Sequence, residues 1–306
     1  MSRGLLVLAL AALLAVTASP GARAQTDDHF ALLMVWMPGL CKLEGDRPEC
    51  KDLSLRRYDG RNLAFMALEV THDSGSAATF CYTMPSAQEM DSSRRWCDMD
   101  PARVTDDDTA AALKELMPVM QSCQDRGLWA KYGSCTMYSA NDYYGRGIRL
   151  AQQLAASQMN LKIGGATGTT ASQQSLVEAF KADFGEDSGG AVDFICRKAG
   201  GKFHLLYVKI SVTVRALTRG LATELLWNPK GAVRRSCPET IEVDAPPVPV
   251  ASSVGAAAGS GEAGAPTPVP AAVPAPPGEP PPPESAPVAP VETAPLGPKT
   301  IGPAGK

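Results

Sequence analysis

The chain has 306 residues, 44% hydrophobic and 20% charged, with a formal charge of −3. Such a balance provides no strong positive field, which excludes a histone-like or ribosomal-type binder that holds polyanions non-specifically. Composition is uneven: residues 245–306 hold 18 of the 26 prolines and no cysteine or aromatic residue, whereas residues 25–244 hold all 8 cysteines.

At the N-terminus, Arg3, the apolar run Leu5 to Val16 and the sequence Ala22-Arg23-Ala24 predict a secretory leader over residues 1–24, with the mature chain starting at Gln25. The run is shorter than the roughly 20 apolar residues a span requires, and no later stretch is longer. A periplasmic or secreted chain with no membrane span is expected. An even number of cysteines, all beyond the leader, suits an oxidising compartment. Cys41, Cys50, Cys81, Cys97, Cys123, Cys135, Cys196 and Cys237 are never closer than nine residues, and His29, His72 and His204 are scattered. Zinc-ligand spacing is missing, so disulfides are expected, with no metal and no cofactor.

Phe30 to Trp36 and Leu63 to Val70 are continuous apolar runs of strand length, suited to the inside of a sheet. Between Phe203 and Val214 the pattern alternates: Leu206, Val208, Ile210, Val212 and Val214 take one face, and Tyr207, Lys209, Ser211 and Thr213 the other. That predicts a half-buried strand. Ala191 to Cys196 is its expected neighbour, through a turn at Ala199-Gly200-Gly201. Helices are predicted between these strands. Thr105 with Asp106 to Asp108 opens one carrying Leu113, Leu116, Met117 and Met120 at helical spacing. Ser139 with Asp142 opens a second through Leu154. Ser172 to Phe184 is a third, and Gly185 is positioned to end it. Strands at both ends with helices between them make an α+β domain over residues 25–244.

Gly164-Gly165-Ala166-Thr167-Gly168 lacks the Gly-Lys-Ser/Thr ending of a phosphate loop, so a flexible connection is expected there. The tail, residues 245–306, is too poor in large apolar groups to offset chain ordering and is expected to be disordered. It acts as a spacer, or as a segment recognising an envelope component or a protein partner.

Between Cys123 and Cys135 the chain reads Cys-Gln-Asp-Arg-Gly-Leu-Trp-Ala-Lys-Tyr-Gly-Ser-Cys. This resembles the second active-site segment of the ribonuclease T2 family, HEWxKHGTC, with Trp129, Lys131, Gly133, Ser134 and Cys135 on the family's W, K, G, T and C. Tyr143-Tyr144 and the helix to Leu154 match the segment that follows. Leu33 to Cys41 looks like the family's first strand, turn and cysteine. The likeness covers about residues 30–243 and is nearest to the bacterial periplasmic ribonuclease I branch. It implies an antiparallel sheet flanked by helices, metal-independent RNA cleavage through a 2′,3′-cyclic phosphate, and RNA or nucleotides as cleft ligands. By the same analogy Cys196 pairs with Cys237 and Cys97 with Cys135; Cys41–Cys50 and Cys81–Cys123 complete one arrangement among the 105 open to eight cysteines.

Family chemistry needs a base for the 2′-hydroxyl proton and an acid for the leaving oxygen, and histidine serves both because it titrates near neutrality. Here the matching positions are substituted. Met66-Ala67-Leu68-Glu69-Val70 aligns with the family's HGLWP, so Met66 stands for the first histidine and Glu69 for the tryptophan. In the second motif Gly127, Leu128 and Tyr132 replace His, Glu and His, and Lys131 is retained. His72, six residues past Met66, is the candidate substitute. Glu69 is either a carboxylate that repels phosphate or a solvent-facing residue at a strand end; His29, His204 and His72 itself are each expected to be surface or structural. The reading is a secreted scaffold without the family's catalysis, a pseudo-ribonuclease with a binding role. The alternatives are an active or weakly active endoribonuclease with atypical residues, and an envelope-interaction protein acting through its tail.

Overall fold

The computed structural model describes residues 29–72, 76–229 and 236–247. The expected leader, and the expected tail from Val248 onward, lie outside the described residues. Two apolar runs form β1 (His29–Val35) and β2 (Ala64–Thr71), both almost wholly buried. β3 (Thr169–Ser172), β4 (Val192–Ala199), β5 (Lys202–Thr213) and β6 (Thr240–Val243) complete one sheet of order β2-β1-β5-β6-β3, with β4 also on β5. Pairing is antiparallel throughout except for one parallel bridge, His204 to Glu242. β4 takes one edge of the long β5, and β1 and β6 share the other.

Helices flank this sheet: α1 (Met37–Leu43), α2 (Pro85–Ser92), α3 (Asp107–Leu116), α4 (Gln124–Lys131), α5 (Ala140–Ala155), α6 (Gln158–Gly165), α7 (Gln173–Phe184) and α8 (Ala216–Arg219). Their starts follow local chemistry. Asp106, Ser139, Ser157 and Ser172 each accept a bond from a backbone N–H three residues on, satisfying donors that a helix start leaves unpaired. Ser139 also donates to the Asp142 carboxylate at 2.7 Å. At the other end of α7, Gly185 has φ +89°, a conformation few side chains tolerate. α5 lies close on the sheet because Gly147 has no Cβ; one placed there would meet the Phe65 ring at 2.4 Å.

Two irregularities depart from the simple strand pattern. Leu33 faces Ala67 while Met34 faces Phe65, which leaves Met66 as an extra, bulged residue on β2. On β5, Leu206 is skipped in the pairing with β4, and both Leu205 and Leu206 are buried, so strict alternation stops there. Val214, expected on the buried face, lies past the strand and is exposed. The glycine-rich segment is also corrected: Gly164 and Gly165 end α6, and Gly164 packs against the Arg61 carbonyl, which a Cβ would meet at 2.6 Å. It is a close helix–loop contact, not a flexible connection.

All eight cysteines are bridged, as Cys41–Cys50, Cys81–Cys135, Cys97–Cys123 and Cys196–Cys237. Two pairings differ from the expected set, which joined Cys97 to Cys135 by the analogy and Cys81 to Cys123 to complete the arrangement. The reason is α4. Its eight residues rise about 12 Å, and Cys123 and Cys135 stand beyond its opposite ends, while bridged Cα atoms must lie within about 7 Å. Cys97 is brought to the start by Trp96, which packs on Gly127. Cys81 is brought to the end by the bond from the Phe80 N–H to the Lys131 carbonyl, 2.8 Å. Peptide mapping without reduction is expected to recover Cys81–Cys135 and Cys97–Cys123; recovery of the exchanged pairs would contradict this placement of α4.

Candidate functional site

The two segments aligned with the family's active-site motifs, on β2 and α4, lie against each other and are both braced by α5. Buried Tyr143 accepts from the Leu68 N–H and donates to the Leu68 carbonyl, both at 3.0 Å, which fixes the middle of β2. Trp129 of α4 stands edge-on to Tyr143 at 5.3 Å and stacks near Tyr144 at 6.0 Å. Gly133 follows because a Cβ there would lie 2.1 Å from the Trp129 ring. This packing turns Tyr132, at the C-terminal end of α4, toward β2.

There Tyr132 lies near the Glu69 carboxylate, and burial together with that negative neighbour pushes its hydroxyl pKa far above the tyrosine range. Glu69 is not a solvent-facing strand end: it is 5% exposed, and its Oε2 lies 2.7 Å from Lys209 Nζ. Lys209 and Glu69 reach each other across β1, whose Leu33 faces Lys209 and whose Ala31 faces Glu69. The retained Lys131 lies 3.6 Å from Asp91 and over the rings of Tyr132 and Phe80. Asp91 in turn accepts from Trp96 Nε1 at 2.8 Å. The cluster therefore pairs two ammonium groups with two carboxylates.

The remaining candidate positions are apolar or filled. Met66 and Leu128 are buried in the main core. A Cβ on Gly127 would meet Trp96 Cδ1 at 2.5 Å, so a histidine there has no room unless Trp96 moves. His72 is exposed just beyond β2, three residues from Glu69 and on the opposite side by strand alternation. His29 stacks on Trp227 with ring centroids 3.8 Å apart. His204 lies between Asp244 Oδ2 at 2.9 Å and the Ala199 carbonyl at 3.2 Å. No histidine reaches the Glu69–Tyr132 cluster. Among the described residues no group of three or more His, Cys, Asp or Glu converges to hold a metal, and no helix is long and apolar enough to cross a membrane.

Sequence reasoning did not find Lys209, Asp91 or Trp96 as members. Lys209 carried one signal, a lysine in the middle of the polar face of an otherwise apolar strand; Asp91 and Trp96 carried none. Elsewhere, a depression of about 500 Å³ bounded by Lys42, Thr169, Glu242 and Asp244 shares no residue with the cluster.

No family model matches the chain. Its sequence is 29% identical to ribonuclease I of Escherichia coli (strain K12) over 140 residues, 45% of this chain and 50% of that protein. The chain thus spans about half the length of this curated relative. Among solved structures it is similar to the self-incompatibility associated SF11-RNase of Nicotiana alata (TM-score 0.48, 15% identity, 69% of this chain and 95% of that one). It is also similar to ribonuclease MC1 from bitter gourd seeds (TM-score 0.43, 18% identity, 70% of this chain and 98% of that one).

Two outcomes follow from the buried cluster. Removing one charge of a buried pair strands the other, so Glu69→Gln is expected to cost about 3 kcal/mol in urea unfolding, and adding Lys209→Met should recover most of it; an unchanged midpoint in the single variant would contradict the pair. Tyr58, Tyr132, Tyr143, Tyr144 and Tyr207 all have hydroxyl pKa values raised chiefly by burial, Tyr58 to about 12. Raised folded-state values stabilise below the unfolded value of about 10 and are lost as pH climbs above it. Phenolate absorbance from these residues is expected to rise together with loss of far-UV dichroism above pH 10, rather than before it.

Proposed function

We propose that this chain, which belongs to the ribonuclease T2 family, is a catalytically degenerate member that binds where its relatives cleave. The observation that carries this reading is the buried ion pair of Glu69 with Lys209, beside Tyr132, with Glu69 and Tyr132 at two of the substituted positions. Cleavage through a 2′,3′-cyclic phosphate needs one group to take the 2′-hydroxyl proton and another to give a proton to the leaving oxygen. Met66 has no titrating proton. Tyr132 is held protonated by burial and by Glu69, which makes it a hydrogen-bond donor and a very poor base. Glu69 is the remaining group with base character, but its carboxylate is paired with Lys209 and would repel a phosphate. Each lost proton-transfer group typically costs about 100- to 10,000-fold in rate.

The ligand of such a site is an RNA strand or nucleotide held without turnover. Four disulfides and a leader-like N-terminus support a periplasmic or secreted location. A second reading, weak residual cleavage, rests on retained Lys131, which is partly exposed. The test is incubation of the oxidised protein, purified from a nuclease-deficient host, with single-stranded RNA. No fragments with cyclic phosphate ends are expected. Cleavage, even weak, that disappears in Lys131→Ala would sink the proposal and establish the second reading.

A further inference from the structure

A second charged cluster lies on the same side of the sheet. Glu44, at the C-terminal end of α1, receives guanidinium groups from three separate parts of the chain: Arg47 at 3.2 Å, Arg94 through two nitrogens at 3.2 and 3.3 Å, and Arg197 at 3.3 Å. Arg47 is already balanced, since it is buried, bonds Glu49 at 2.6 Å and Ser122 at 3.2 Å, and also reaches Gln124. That leaves Arg94 and Arg197 sharing one carboxylate, an excess of one positive charge. Their side chains are 59% and 46% exposed, whereas Glu44 beneath them is 14% exposed. A guanidinium has five N–H donors, so most of those on Arg94 and Arg197 remain open to solvent.

Arg94 follows α2 in the left-handed conformation common at a helix C-terminus, φ +57°, with the Arg95 N–H on the Met90 carbonyl at 2.8 Å, and its guanidinium reaches Glu44. The cluster adjoins the candidate site on two sides. Tyr207 stands two residues, about 7 Å, from Lys209 on one face of β5, and its hydroxyl feels the charges of Glu44, Arg47, Arg197 and Arg94. Arg94 shares a short segment with Asp91, the partner of Lys131.

We propose that Arg94 and Arg197, held in place by Glu44, form a phosphate subsite for single-stranded RNA lying across the Lys209 and Tyr207 face. This rests on the binding role given above. It explains how a chain with a neutralised centre retains a grip on RNA: the central cations are matched by Glu69 and Asp91, and the surplus charge sits one step outward. The paired forks match the geometry of phosphate oxygens.

The experiment is a salt titration of binding to a fluorescent 2′-O-methyl RNA 12-mer, which cannot form a cyclic phosphate and so reports binding whether or not the protein cleaves. Arg94→Gln/Arg197→Gln is expected to weaken binding about tenfold at low salt and to flatten the log–log salt slope by about 1.4, or about 0.7 per phosphate contact on a single strand. Arg94→Gln alone, at the more exposed position, should flatten it by about half as much, and Arg94→Lys/Arg197→Lys should keep the parent slope. Near-UV dichroism checks that each variant is folded. Parent-like affinity and slope in the Gln variants would overturn the subsite while leaving the pseudo-ribonuclease reading intact. Absence of RNA binding by the parent would overturn it as well, with the cleavage assay still deciding that reading separately. Binding of polyglutamate in preference to the RNA, lost in the Gln variants, would assign the arginines to an acidic protein partner and likewise overturn it.

Discussion

The Tyr143 hydroxyl holds the free edge of β2. β2 is the terminal strand of its side of the sheet, so the Leu68 N–H and carbonyl have no neighbouring strand, yet the strand is buried and both groups need partners. One phenol supplies them, accepting from the N–H and donating to the carbonyl. α5 is thereby fixed to β2, Trp129 packs edge-on to the same ring, and α4 takes its position from Trp129. The approach of Tyr132 to Glu69 follows from that order of contacts.

The residues at the aligned motif positions are bound up with packing. Gly127 is glycine because Trp96 occupies the space beside it, and Trp96 is held by Asp91, which also pairs with Lys131. Trp96, Ala87 and Met99 form a small core of their own beneath α2 and α4. A histidine at this position would disturb that core, so the residues here are not independent surface choices. Glu69 shows the same coupling. A buried carboxylate needs a cation, and Lys209 is supplied from two strands away.

Charge distribution follows a consistent layout. At the centre each ammonium has its own carboxylate, whereas around Glu44 guanidinium groups outnumber the acids that hold them. Disulfides at both ends of α4 keep the two regions in register. Cys97–Cys123 ties its start to the turn after Trp96, and Cys81–Cys135 ties its end to the segment carrying Phe80.

The sequence by itself determined the apolar strands, the capped starts of α3, α5 and α7 and the turn before β5, because each depends on neighbours a few residues apart. It also gave the residues that stand at the positions aligned with the family's histidines, since that is a matter of residue identity. Tertiary structure decided which cysteines meet around α4, that Met66 and Leu206 are bulged, and that Gly164 packs against a carbonyl. It also decided that Glu69 is buried against Lys209 and Tyr132, and that Arg94 and Arg197 meet at Glu44. Each of these turns on distances between segments far apart in the chain, set by strand pairing and helix length, and local periodicity carries no record of them.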